Sequence, residues 1–412
     1  MQWIYSLAVG SYGLFIRVAA LFLPKAAQWV QGRKNWEQKL ADQLQGKPAK
    51  RIWFHCPSLG EFEQGRPVLE QIRKEYPEHC IVLSFFSPSG YNVRKNEPLA
   101  DIVTYLPLDS ARNSRRFIRL LNPSLVFFVK YDFWYWYGKI LHEQKIPFFC
   151  VSASFRPGQI FFKSWAKFFR KMLTRYSHIF VQDQSSLELL YKNAIPGVTV
   201  SGDTRFDRVL ENSARMADFP ILQKFTEGST VMVAGSTWAG DEKVLLGLLQ
   251  SSPDLKLIIA PHEIHETAVR KMQQRFGGAL RFTEASADKE TNARVMIIDT
   301  IGLLSVIYRF GKYTYVGGGF GKGIHNVLEA AVYGKPVFFG PNFKKFREAR
   351  DLKAMGCGIV VKRPAELMDE VSRLEANGDE YTKLATKSRK YIEDRKGATA
   401  ILMNYLRLNY QG

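Results

Sequence analysis

What most constrains this chain is a rhythm that occurs twice. Short apolar runs rich in β-branched and aromatic residues alternate with stretches of helical periodicity. In the first half the runs fall at 51–55, 80–84, 102–105, 125–129, 148–151 and 178–182. In the second they fall at 230–234, 255–260, 295–298, 313–316, 336–339 and 358–360. Helical patterns lie between them, at 61–76, 110–121 and 184–193 in the first half. Strands spaced by helices in this way specify parallel sheets covered on both faces. The expected fold is therefore α/β, with two doubly wound Rossmann-like domains facing a cleft, and 412 residues suit two such domains. The division is expected near the polar stretch 202–220, and a long charged helix is expected over 379–407. Ligands of doubly wound sheets sit beyond the carboxyl ends of the strands, so the loops there carry the functional reading.

The first segment reads differently. Residues 3–23 are apolar but for Arg17 and a few small polar residues, and Pro24 stops the run. That length can span a bilayer. The basic residues that follow, among them Lys25, Arg33, Lys34 and Lys39, would keep the remainder on the cytoplasmic side. Arg17 would cost a true span about 2.5–3.5 kcal/mol. A spanning anchor, an in-plane amphipathic anchor and a buried core helix all remain open. A second aromatic and basic segment, 160–175, reads as one helix, lying on anionic lipid or facing the core. The formal net charge of +19 points to an anionic partner: a membrane surface, a phosphorylated substrate or nucleic acid. Cys56, Cys80, Cys150 and Cys357 form no CxxC pair and read as buried free thiols, consistent with a reducing compartment.

Five loops at strand ends hold the candidate chemistry. Ser58 and Glu61 have capping-box spacing, or Glu61 is a general base at a helix start. Asp132 follows the run 125–129, as a turn residue or a site carboxylate. Arg205 lies at the domain division, as a solvated hinge residue or an anion contact. Ser236 and Thr237 precede a helix and suit either an N-cap or a phosphate. The strongest local signal is the stretch 317–329, with five glycines and Lys322 between a strand and a helix. It is neither GxGxxG nor a P-loop, but it suits a phosphate, and Asn326 and Glu329 share one helix face. His262 and His265 could pair on a helix face, though such a pair is more often structural, and no metal-ligand cluster or Ser-His-Asp motif stands out.

Taken in order, S-L-G-E at 58–61, G-S-T-W-A-G-D-E at 235–242, A-P-H-E at 260–263, D-T-I-G-L-L at 299–304, G-I-H-N-V-L-E at 323–329 and G-K-P-V-F-F-G-P at 334–341 resemble the Kdo transferases of lipopolysaccharide synthesis. The resemblance covers nearly the whole chain. It implies a GT-B glycosyltransferase that moves 3-deoxy-D-manno-octulosonic acid (Kdo) from CMP-Kdo to the lipid A precursor, with inversion and without a metal or other cofactor. It implies that Glu61 is the base and that Asp132 and Arg205 stabilise the transition state. Pro261 and His262, then Ile301, Gly302 and Leu303, then Asn326, Val327, Leu328 and Glu329 match its CMP-contacting segments. The chain departs from the family's usual Glu at 132, Lys at 205, Arg at 262 and Glu at 303.

The resulting expectation has four parts: a membrane anchor over 1–24, an acceptor domain over 25–205, a CMP-sugar domain over 206–390, and a C-terminal helix over 391–412 that packs back on the first domain. The expected location is the cytoplasmic side of the inner membrane, single-pass or monotopic. The expected partners are CMP-Kdo, the lipid A precursor and an anionic membrane surface, with no nucleic acid. The rivals are another GT-B transferase or epimerase that uses a UDP-sugar, and a non-enzymatic binder marked by one continuous basic stripe.

Overall fold

In the computed structural model, residues 1–215, 218–286 and 292–410 are described. The chain forms two compact units, Met1–Arg208 with Gly397–Gly412, and Val209–Lys396. The first holds seven strands: β1 (Arg51–Cys56), β2 (Cys80–Phe85), β3 (Ile102–Tyr105), β4 (Leu125–Val129), β5 (Phe148–Ala153), β6 (His178–Val181) and β7 (Val198–Val200). They are all parallel, in the order β3-β2-β1-β4-β5-β6-β7. The second unit holds β8 (Thr230–Thr237), β9 (Leu255–Pro261), β10 (Leu280–Arg281), β11 (Val295–Ile297), β12 (Tyr313–Val316), β13 (Val337–Phe339) and β14 (Gly358–Val360). Its order is β10-β11-β9-β8-β12-β13-β14, again parallel.

The strand residues explain the architecture. In the first sheet Trp53, Val82, Val126 and Phe128 pack into one core cluster, while Ile52, Phe54, Leu83 and Phe127 pack into another on the opposite face. Near-continuous apolar runs suit strands buried on both sides. The sequence reading passed over β7 and β10. They have three and two residues, too few to show a period of two.

The expected helix over 379–407 is two helices, Gly378–Glu393 and Ala398–Asn409. Gly397 breaks it with a φ of 105°, a left-handed conformation that glycine adopts without steric cost. The second helix belongs to the first unit. Asp207 accepts from the amides of Gly397 (2.6 Å) and Thr399 (2.7 Å) at its start, and Leu402, Met403 and Leu406 are buried against the sheet. The segment 160–175 is likewise interrupted, contrary to the single helix expected. A 3-10 turn spans Ile160–Phe162 and a helix spans Lys167–Leu173. Phe161 and Phe162 turn inward onto Phe133 and Phe155, which a continuous surface helix would not allow.

The expectation of a membrane-spanning anchor is corrected. Among the described residues no helix is long and apolar enough to cross a membrane. The N-terminal helix is Gln2–Ala19. Its length of about 27 Å falls short of the roughly 30 Å hydrocarbon core. It is also tied to the first unit by polar contacts that a bilayer could not supply. The Tyr5 hydroxyl donates to Asp109 (2.7 Å), the Trp136 indole donates to the Ser6 hydroxyl (3.0 Å), and Gly13 is buried. Trp3, Leu7, Leu14, Phe15 and Val18 remain exposed.

Asp109 is the anchor of this docking. It is 1% exposed and accepts from Tyr5, from Ser114, and from the amides of Trp136 and Tyr137. Burial pushes its carboxyl upward, against the lowering effect of those bonds. Asp109→Ala would leave several buried donors without an acceptor, so we expect a loss of stability on the order of 3 kcal/mol. Chemical unfolding would measure that loss, and trypsin should cleave faster after the exposed Arg17.

Candidate functional site

In each unit the candidate residues gather where the strand order reverses. In the first, β1 and β4 are neighbours although β2 and β3 intervene in sequence. Such a switch point leaves a crevice at the carboxyl ends of the strands. Glu61 stands in the first turn of the helix Leu59–Glu75, just after β1, and Asp132 follows β4.

The expected capping box does not form. Ser58 occupies the N-cap position, but its side chain accepts no helix N–H. Its hydroxyl instead donates to Glu61 Oε2. A charge-assisted bond to a carboxylate is about twice as strong as a neutral one, which favours this arrangement. Glu61 is half-buried and sits at a helix N-terminus, where a negative charge is stabilised.

Asp132 is held by a buried relay. His55 Nε2 lies 2.9 Å from Asp132 Oδ2, and the Trp134 indole donates to the same oxygen at 3.2 Å. His55 is fully buried, and its Nδ1 lies 2.8 Å from Ser84 Oγ. Ser84 Oγ in turn accepts from the Trp53 indole at 2.8 Å. One assignment of protons uses every donor in this line. Trp53 donates to Ser84, Ser84 to His55 Nδ1, and His55 Nε2–H to Asp132. The sequence reading missed His55, although its position as the penultimate residue of a strand aimed at the site was a usable signal. Arg205 is half-buried. Asp203 grips its Nε (2.9 Å) and Nη2 (2.6 Å), and Asp203 Oδ1 lies 3.4 Å from the Gln64 amide, one turn beyond Glu61. Burial pulls Asp203 upward, but the Arg205 charge and hydrogen bonds outweigh it and hold the carboxyl below its usual range.

In the second unit the reversal lies between β8 and β12. Ser236 and Thr237 end β8 at an irregular register, and Ser236 takes a φ of 54°, uncommon for a residue other than glycine. The Thr237 hydroxyl is buried with no hydrogen-bond partner. Leaving such a group unsatisfied costs about 1–3 kcal/mol. Asp241 binds the site together: it accepts from the amides of Trp238 (2.9 Å) and Gly318 (2.8 Å) and from the Tyr315 hydroxyl (2.9 Å). The glycine-rich stretch is partly explained by crowding. A Cβ on Gly317 would lie 2.4 Å from the Ser236 carbonyl oxygen, and one on Gly319 would lie 2.5 Å from the Gly340 Cα.

His262 is not paired with His265, which heads the helix Glu266–Arg275 and faces Glu263 at 3.4 Å. His262 is stacked between Trp238 (4.4 Å) and His325 (4.6 Å), and the Trp238 indole lies 3.2 Å from His325 Nε2. Burial, with the neighbouring His262, pushes His325 below the usual imidazole range. Pro261 ends β9, beside this column. Ile301 and Gly302 are exposed and Leu303 is half-buried, ahead of the helix Leu304–Ile307. Asp299 fixes this stretch by accepting from Arg281 (2.9 Å) and from the Thr283 amide (3.1 Å). Asn326 donates to Glu329 (3.0 Å) and accepts from the Leu328 amide (3.1 Å), while the side chains of Val327 and Leu328 are buried. Asn326 therefore precedes the four-residue helix Leu328–Ala331 rather than standing on its face. Among the described residues no group of three or more His, Cys, Asp or Glu is arranged to hold a metal ion.

Comparison with known proteins adds a family and a fold. Residues 34–208 match the profile of the 3-deoxy-D-manno-octulosonic-acid transferases. A 3-deoxy-D-manno-octulosonic acid transferase of Aquifex aeolicus is 27% identical over 350 residues, 82% of this chain and 90% of that protein. One of Haemophilus influenzae is 24% identical over 379 residues, 87% of each chain. Among solved structures, a UDP-GlcNAc 2-epimerase of Neisseria meningitidis bound to UDP-GlcNAc superposes with a TM-score of 0.57 at 14% identity, covering 87% of this chain and 100% of that one. That of Methanocaldococcus jannaschii gives 0.54 at 13%, covering 87% and 99%. The two units therefore have the parallel α/β fold of GT-B-like epimerases and glycosyltransferases.

The relay makes a direct prediction. Ser84→Ala would strand the Trp53 indole and leave His55 Nδ1 only the backbone carbonyl of residue 84, 3.1 Å away, so a stability loss of about 2 kcal/mol is expected in urea unfolding. Nitrogen-15 spectra of the histidines should find the Nε2–H tautomer at His55 in the parent protein and a loss of that preference in the variant.

Proposed function

We propose that the chain, whose residues 34–208 match the 3-deoxy-D-manno-octulosonic-acid transferase profile, moves Kdo from CMP-Kdo to the lipid A precursor during lipopolysaccharide synthesis. The observation that carries this reading is the pair of carboxylates at the β1/β4 switch point: Glu61 at a helix N-terminus, and Asp132 on its buried relay. Two carboxylates in different settings can do different work.

In this reading the first unit binds the acceptor. Glu61 takes the proton of an acceptor hydroxyl as that oxygen attacks the anomeric carbon of Kdo. The new C–O bond forms as the bond to the CMP phosphate breaks, and the electron pair leaves with the phosphate. Direct displacement inverts the anomeric centre without a covalent enzyme intermediate. General-base assistance of this kind is worth typically 10²–10⁴-fold. Asp132, oriented by its two hydrogen-bond donors, stabilises the positive charge that develops on the sugar. Arg205, oriented by Asp203, opposes the charge growing on the phosphate.

The second unit binds the nucleotide. The unpartnered Thr237 hydroxyl and the exposed Trp238–His262 face support donor contacts at the end of β8, and Asn326 and Glu329 suit ribose hydroxyls. We propose that no metal takes part, the phosphate being met by Ser236, Thr237 and loop amides. The enzyme would work at the cytoplasmic face of the inner membrane as a monotopic protein. The exposed apolar residues of the N-terminal helix, with Leu21, Phe22 and Leu23 after it, support that contact, and the +19 charge suits anionic lipid.

A UDP-sugar transferase or epimerase is the rival, favoured by the fold of the superposed epimerases. Purified protein incubated with CMP-Kdo and the tetraacylated precursor should yield a lipid heavier by one or more Kdo units in mass spectra. Glu61→Ala should lower turnover by about 10²-fold or more while CMP still binds. Normal turnover in that variant would remove Glu61 from the mechanism. UDP binding more tightly than CMP would favour the rival.

A further inference from the structure

The N-terminal helix leaves an apolar groove beneath it that the proposed chemistry does not use. The groove has a volume of about 460 Å³. Ile4, Ala8 and Tyr12 of the helix form one wall, and Phe86, Trp134 and Phe168 form the other. It shares Met1 and Phe168 with a second cavity of about 730 Å³. That cavity presents Lys139, His142, Lys171 and Arg175 against the lone carboxylate of Glu143. Arg175 is 7% exposed and fixed in place by its bond to the Tyr135 carbonyl (3.0 Å) and by the Tyr135 ring (4.3 Å).

Two features decide what this arrangement can take. The helix is held by the Tyr5–Asp109 and Ser6–Trp136 bonds and by ring contacts of Tyr5 with Tyr135 and of Tyr12 with Phe86, while Ile4, Ala8 and Val9 line the groove. Soluble proteins rarely leave an apolar surface of this kind uncovered unless something binds there. The groove also shares one residue with the site. Trp134 lines it, stacks at 5.0 Å on Phe86, and donates to Asp132. An occupant that fills both groove and cavity is therefore apolar along one part and anionic at the basic cavity.

We propose that this groove binds an acyl chain of the phosphorylated acceptor lipid, with the basic cavity taking one of its phosphates. This rests on the transferase reading above. It gives the N-terminal helix a role in choosing the acceptor, distinct from contact with bulk membrane. The volume lies in the usual range for ligand pockets.

The test has a binding arm and a kinetic arm. Dodecyl phosphate, below its micelle concentration, should bind the full-length protein in calorimetry, and Ala8→Trp, which fills the groove, should weaken that binding at least about tenfold. Ile4→Glu, at a position exposed enough to tolerate charge, should do the same. Inorganic phosphate should not distinguish the variants from the parent. With CMP-Kdo, Ala8→Trp should raise KM for the tetraacylated acceptor about tenfold and leave KM for the fully deacylated acceptor unchanged. Sedimentation with anionic phospholipid vesicles should be unaffected. Equal dodecyl phosphate binding in parent and variants, equal KM changes for both acceptors, or a parallel loss of vesicle binding would each overturn the proposal. Should the parent protein transfer Kdo to neither acceptor, the transferase reading would fall and the binding arm would still decide the groove.

Discussion

Everything polar in this molecule is arranged around one constraint: its two parallel sheets are buried on both faces. A central strand such as β1 or β4 has no solvent-facing side on which to display a functional group. The chain is then free to place polar side chains only where strands end, and the reversal of strand order decides which ends have room. In both units that place lies beside the first strand, β1 in one and β8 in the other. The same logic explains why so many strand ends are irregular here. Lys130, Ser152 and Ser236 all take positive φ at or next to the carboxyl ends of β4, β5 and β8.

Buried carboxylates set the precision of these ends, and they differ in what they leave for chemistry. Asp109, Asp203 and Asp241 are all buried, and their bonds go to amides, hydroxyls or a guanidinium. They fix the N-terminal helix, the Arg205 loop and the glycine-rich stretch, in that order. Asp132 is different. Its side chain is 19% exposed, and both hydrogen bonds described for it go to one oxygen, Oδ2. A carboxylate anchored through one oxygen keeps its orientation while the other can meet a ligand. His55 and Trp134 fix where it points.

The N-terminal segment shows how composition and position part company. Read along the chain, the apolar run 3–23 suggests a membrane span, yet Tyr5, Ser6 and Gly13 are the residues that dock its helix. Each looks like an interruption of an apolar run when read along the chain. In three dimensions they lie toward the first unit, and the apolar residues divide between a groove and the outside. The segment 160–175 met the same fate, because its aromatic residues had partners in Phe133 and Phe155 that lie far away in sequence.

Local pattern determined much of this protein. Strands such as Leu125–Val129 are legible because a doubly buried strand is apolar throughout. The loops that bear Glu61, Asp132, Ser236 and Asn326 follow from the rule that parallel sheets bind at their carboxyl ends. What sequence left open was every question about partners. Ser58 had the spacing of a cap but donates to Glu61, Arg205 is gripped by Asp203, and His262 sits in a column with Trp238 and His325 rather than beside His265. Spacing along a chain limits which residues can share a helix face. Which donor meets which acceptor is decided by residues brought together from 29 and 77 positions away, as Ser84 and Asp132 are brought to His55, and only the folded sheet places them there.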